Sequence, residues 1–153
     1  YYARATGCWC LADDSGLVFD ALGGAPGVYS ARYAAEDCSP DASRDVIDPA
    51  NNARLLRELA GVPDENRTAR FVCYLALAVG GEIVLEADGA VGGRIAHEPA
   101  GENGFGYDPL FYVPELGCTT AQLSPEEKNR ISHRGHAVRR FAKTLKEYLE
   151  QNI

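Results

Sequence analysis

An α/β fold, with one mixed central sheet flanked by helices, is what this sequence predicts, and three observations predict it. Residues 71–79 form a nearly continuous apolar run, the mark of a strand buried on both faces. Gly80-Gly81 and a second run, 82–87, follow at once, so the two runs read as a β-hairpin closed by a glycine pair. Two other segments carry apolar residues at helical spacing: 53, 55, 56, 59 and 60 early in the chain, and 138, 141, 142, 145, 148 and 149 near its end. With 153 residues, 46% of them hydrophobic, the chain can build one domain with a real core, spanning 1–153, and is too short for two.

Taken in order, residues 8–12 and 17–21 read as strands on either side of Asp13-Asp14-Ser15-Gly16, an acidic turn closed by Gly16. The Gly23–Gly27 stretch is a loop, because Gly-Gly and Pro-Gly steps supply turn geometry. Residues 28–33 read as short and extended, and 35–49 as polar with two prolines. A helix over 51–60 ends at Gly61, and beyond the hairpin further strands are expected at 90–98 and 110–113. Ser124-Pro125-Glu126-Glu127 is a capping box with proline at the first helical position, which starts a short helix. The last helix is expected from about Arg134 to Glu150.

Charge and composition exclude several classes. A net charge of −7 argues against nonspecific nucleic-acid binding, which needs a basic field. A nucleotide ligand stays open, since a divalent cation and a few placed basic residues suffice locally. Five cysteines without a CxxC pair fit reduced thiols of the cytoplasm better than a disulfide framework or a zinc site. No apolar run has membrane-spanning length, so no membrane partner is expected. A chain that begins at Tyr1 and contains no methionine reads as a fragment whose missing part lies upstream.

Three blocks could carry chemistry. Asp13 and Asp14 stand between apolar runs, where carboxylates need a cation, a donor or a task. Strand alternation lets one of the two face a given site. Gly101–Pro109 has its glycines in the order GxxGxG, which is not the dinucleotide fingerprint. Its Phe105 could stack on a planar base and its Asp108 accept from the base edge, or the aromatics could pack inward around a simple turn. Ser132 is a good N-cap for His133-Arg134-Gly135. Cations in a first helical turn oppose the helix dipole, which makes sense if His133, Arg134 and the nearby Lys128 point at a ligand rich in acceptors. A solvated basic patch is the plainer reading, given Arg139, Arg140, Lys143 and Lys146.

In order and spacing, ADDSGL at 12–17, LGGAPGVYSARY at 22–33, GFGYDPLF at 104–111 and EEKNRISHRG at 126–135 resemble the Ham1, or inosine triphosphate pyrophosphatase, family. The resemblance implies a magnesium-dependent homodimeric enzyme that hydrolyses dITP, ITP and XTP to the monophosphate and pyrophosphate. By motif, Asp14 looks like the metal-binding acid and general base, with Asp13 facing away, and Ser15 contacts substrate. Phe105, Gly106, Tyr107 and Asp108 would hold base and sugar, with Phe105 stacking. Lys128, His133 and Arg134 would read the 6-oxo edge of the purine. The chain departs from the family in lacking its lysine-bearing phosphate loop, a metal-binding glutamate and a further basic residue. Asp45–Pro49 looks like an inserted loop. These 153 residues are therefore expected to hydrolyse nucleotides weakly or not at all. The alternative is a truncated homologue that acts as a purine-nucleotide-binding or dimerising module.

Overall fold

The computed structural model describes residues 1–152. Five strands form one sheet in the order β1-β2-β3-β4-β5, and every pairing among the described residues is antiparallel. A short helix α1 (Tyr2–Thr6) precedes β1 (Cys10–Phe19), and helix α2 (Arg44–Glu58) separates it from β2 (Thr68–Val79) and β3 (Glu82–Ile95). Two short strands follow, β4 (Phe111–Val113) and β5 (Cys118–Thr119), then helices α3 (Pro125–Ile131) and α4 (His133–Asn152). The α/β fold and the central hairpin expected from the apolar runs are thus present, and Gly80 and Gly81 both adopt positive φ at its turn. Neither α1 nor β5 was foreseen, being too short to leave a periodic signal.

The core forms two clusters along the hairpin. Leu17, Phe19, Leu55, Leu59, Phe71, Leu110 and Phe111 fill one, beneath α2 and the segment before β4. Cys73, Leu75, Leu77, Ala87, Ala137 and Phe141 fill the other, where the apolar stripe of α4 lies across β2 and β3. Gly89 lets α4 sit that close, because a Cβ there would stand 2.2 Å from the His133 carbonyl oxygen. Glycine in a strand interior often marks such an approach.

Four local expectations are corrected. The acidic segment is no turn: β1 runs unbroken through it, pairing Asp13 with Leu75, Asp14 with Tyr74 and Ser15 with Cys73. Gly16 serves proximity instead, since a Cβ on it would meet the Gly27 carbonyl oxygen at 2.4 Å. Residues 27–32 coil into a 3-10 helix, in which the Ser30 hydroxyl donates to the Gly27 carbonyl and accepts the Leu17 N–H at 2.8 Å. Asp45–Pro49 belongs to α2, although Pro49 forfeits one intrahelical hydrogen bond. Side chains of this helix half are anchored elsewhere in the fold, which overrides the local preference. The strands expected at 82–87 and 90–98 are one strand ending at Ile95.

Candidate active site

A cavity of about 280 Å³ opens beside the first core cluster, whose Leu17, Phe71 and Tyr107 line it. Its floor comes from alternation along β1 and β2, which brings Ser15, Leu17 and Phe71 to one face. The His133 ring lies on Phe71, with centroids 4.9 Å apart and 18° between planes. Of the residues expected from the sequence, Ser15, Phe105, Gly106, Tyr107, Asp108, Lys128, His133 and Arg134 all line this cavity. Asp14 does not. It lies one residue from Ser15 and therefore on the opposite face of β1.

The α3–α4 junction explains why the basic residues converge. Ser132 closes α3 with its N–H on the Lys128 carbonyl and caps α4 with its hydroxyl, which accepts the Gly135 N–H at 3.0 Å. Gly135 has no room for a side chain, since a Cβ would meet the Asn129 carbonyl oxygen at 2.1 Å. Two helices joined by one residue thus present Lys128, His133 and Arg134 to the same space.

Their electrostatics differ. His133 is buried, and burial, aided by the cations of Arg134 and Lys128, lowers its pKa to about 4. The imidazole is therefore neutral near pH 7. Because the folded value lies below the unfolded value of about 6.5, the unfolded chain binds the extra proton first as pH falls. Stability contributed by neutral His133 is full above about pH 6.5 and falls toward pH 4, by up to about 3 kcal/mol. Urea unfolding between pH 7.5 and 4 is expected to show this slope, and His133→Gln to flatten it. An equal slope in both proteins would contradict a buried neutral His133.

Arg134 makes a forked pair with Asp13, its Nε 2.7 Å from Oδ2 and one Nη 3.0 Å from Oδ1, and donates to the Ser15 hydroxyl at 3.2 Å. That bond to Arg134 holds the Asp13 carboxyl below the usual carboxylate range. Asp13, expected to face away, is thus the residue that orients Arg134. The signal was available: Asp13 and Ser15 are two apart in a strand and share a face.

The glycine-rich loop is held from several directions. Buried Asp108 accepts the Phe105 N–H at 2.7 Å and the Thr120 hydroxyl at 2.9 Å, and forms an ion pair with Lys128. Gly104, at φ +79°, passes so close that a Cβ would lie 2.1 Å from an Asp108 oxygen. The Tyr107 hydroxyl donates to the Ser30 carbonyl at 2.9 Å, and burial pushes its pKa up. Asp108 and Tyr107 are therefore engaged by the protein and set the loop's shape. Phe105 is left 62% exposed at the rim, with the Lys128 ammonium 4.9 Å from its ring centroid. Sequence reasoning missed Arg44, Asp48 and Asn103, which complete the wall.

Asp14 is an exposed carboxylate, and among the described residues no three His, Cys, Asp or Glu side chains converge as a metal site. Magnesium binds through one or two carboxylates together with substrate phosphates and water. Asp14 is a donor of that type. No helix among the described residues is long and apolar enough to cross a membrane.

A family model described as the Ham1 family matches residues 1–144. The dITP/XTP pyrophosphatase of Geobacillus kaustophilus is 58% identical over 128 residues, covering 84% of this chain and 59% of that protein. The dITP/XTP pyrophosphatase of Nitratidesulfovibrio vulgaris is 56% identical over 139 residues, covering 91% of this chain and 66% of that protein. The solved Ham1 protein of Staphylococcus aureus matches with a TM-score of 0.81 at 44% identity, over 99% of this chain and 71% of that one. The chain spans about three fifths to two thirds of the length of these two curated relatives.

Proposed function

Because the chain belongs to the Ham1 family, we propose that it binds non-canonical purine nucleoside triphosphates such as dITP, ITP and XTP and hydrolyses them to monophosphate and pyrophosphate. The observation that carries this reading is the donor character of the polar groups in a largely apolar cavity wall. Both of its carboxylates, Asp48 and Asp108, are engaged by protein donors, and the cations at it, Lys128, Arg44 and Arg134, are paired with Asp108, Asp48 and Asp13 while keeping further N–H groups to give. A 6-oxo purine offers an acceptor to such a wall. Adenine offers an amino group that would be left without a partner, and a buried unpaired group costs about 1–3 kcal/mol.

In this reading Phe105 stacks on the base at the rim, and neutral His133, backed by Phe71, closes the inner side. Lys128 donates to the 6-oxo edge. Arg134, aimed by Asp13, directs its remaining N–H groups to the ligand. Among the described residues β1 pairs on one side only along 10–16, so phosphates leaving the cavity at Ser15 have one strand edge to cross before meeting Asp14. There Asp14 takes the proton of a water whose oxygen bonds to the α-phosphorus, as the bond from that phosphorus to the bridging oxygen breaks and pyrophosphate leaves. A magnesium ion held by Asp14 and the phosphates would neutralise phosphate charge and acidify that water. The same reading takes the working protein to be a cytoplasmic homodimer. The position of Asp14 outside the cavity is the one observation that favours a purine-binding module without turnover.

Calorimetric titration with ITP and ATP tests the base-reading claim. ITP is expected to bind about 10- to 100-fold more tightly, the worth of one unpaired buried group. Equal affinities would remove it.

A further inference from the structure

Helix α2 reaches the glycine-rich loop with two side chains one turn apart. Asp48 Oδ2 accepts the Gly106 N–H at 2.9 Å, and Asn52 Nδ2 donates to the Gly106 carbonyl at 2.9 Å. Both polar groups of one residue are thereby held by a single helix. The preceding N–H, that of Phe105, is accepted by Asp108. Arg44, one turn before Asp48, donates to its other oxygen at 3.1 Å and keeps the carboxylate aimed. Between these anchors the loop takes positive φ at Gly104 and Gly106, conformations that glycine samples without preference. A glycine-rich loop left to itself would have to be ordered by the ligand, at a cost in affinity.

Asn52 also carries a penalty. Its Oδ1 is buried without a partner among the described residues. An apolar side chain would avoid that cost, so what recommends Asn52 at this position is the bond it gives Gly106.

We infer that Asp48 and Asn52 are positioning residues, a clamp on Gly106 that holds the ring of Phe105 ready for a planar base. The inference rests on the purine reading above and deepens it. It also gives the α2 segment around Pro49 a task that its resemblance to an inserted loop concealed.

The test combines ITP titration with amide hydrogen exchange on the intact chain. Asp48→Ala and Asn52→Ala are each expected to weaken ITP binding about 10-fold, through loss of preordering. Asp48→Asn, whose amide oxygen still accepts, is expected to recover most of that loss. In Asp48→Ala the Gly106 amide is expected to exchange at least about 10-fold faster, as a local opening does, while the β2 amides keep their rates. Unchanged ITP affinity in both alanine variants overturns the clamp. So does faster exchange throughout β2, the mark of a general structural loss. A parent chain that binds no purine nucleotide defeats the underlying reading instead, distinguishable because Gly106 exchange would still respond to Asp48→Ala.

Discussion

Replacing Asp108 with alanine is expected to destabilise the protein by about 3–5 kcal/mol, the range for breaking a buried ion pair, and to abolish binding of ITP. The carboxylate is buried and satisfies three donors from three places: the Phe105 N–H, the Thr120 hydroxyl and the Lys128 ammonium. Removing it strands Lys128 in a partly buried setting and frees the backbone that presents Phe105. Urea unfolding and calorimetric titration measure the two consequences. A second substitution separates them: Asp108→Ala with Lys128→Met takes away both charges and should recover much of the stability, because an apolar pair can replace a buried ionic one. Binding of ITP should stay lost, since Lys128 is the proposed donor to the purine edge. A single variant that loses under about 1 kcal/mol and still binds ITP would contradict the role given to Asp108.

How much of this was legible in the sequence depends on how local the deciding physics is. The β2–β3 hairpin could be read because an apolar run, two glycines and a second run are contiguous. Helix α3 could be read because its capping box is complete within four residues, and Ser124 and Glu127 make both reciprocal bonds. Helix α4 could be read from its stripe, whose Phe141 is buried and whose Leu145 packs on the same cluster, although Val138 of that stripe is exposed and the buried Ala137 lies outside it. The acidic stretch of β1 could not. Asp-Asp-Ser-Gly is ordinary turn chemistry, and what keeps it extended is the ladder to β2, together with the fork from Arg134, 121 residues away. Helix α2 starts before the expected 51–60 because its first half is polar and shows no apolar period, while the bonds from Asp48 and Asn52 to Gly106 are long-range and leave no trace nearby. Eight of the nine expected site residues share one cavity because short motifs carried them. The partners that aim them, Asp13, Asp48 and Asn52, had no signature apart from spacing within their elements.

Asp14 is the exception, and its substitution is expected to have the largest effect on turnover. Asp14→Asn keeps the size of the side chain and removes the charge that takes a proton and meets a cation. Loss of a general base costs about 10²- to 10⁴-fold in rate. Binding of ITP should change little, because Asp14 lies outside the cavity proposed for the base. Such a split, rate lost and affinity kept, separates a catalytic Asp14 from a merely structural one.

Attack on the α-phosphorus of a 6-oxo purine nucleotide is tested by turnover of ITP with magnesium in ¹⁸O-labelled water, since even slow turnover leaves its isotopic record. The expected products are IMP carrying the label and unlabelled pyrophosphate, formed by the parent chain and at least about 10²-fold more slowly by Asp14→Asn. Labelled inorganic phosphate with IDP, or label in the pyrophosphate, would contradict it.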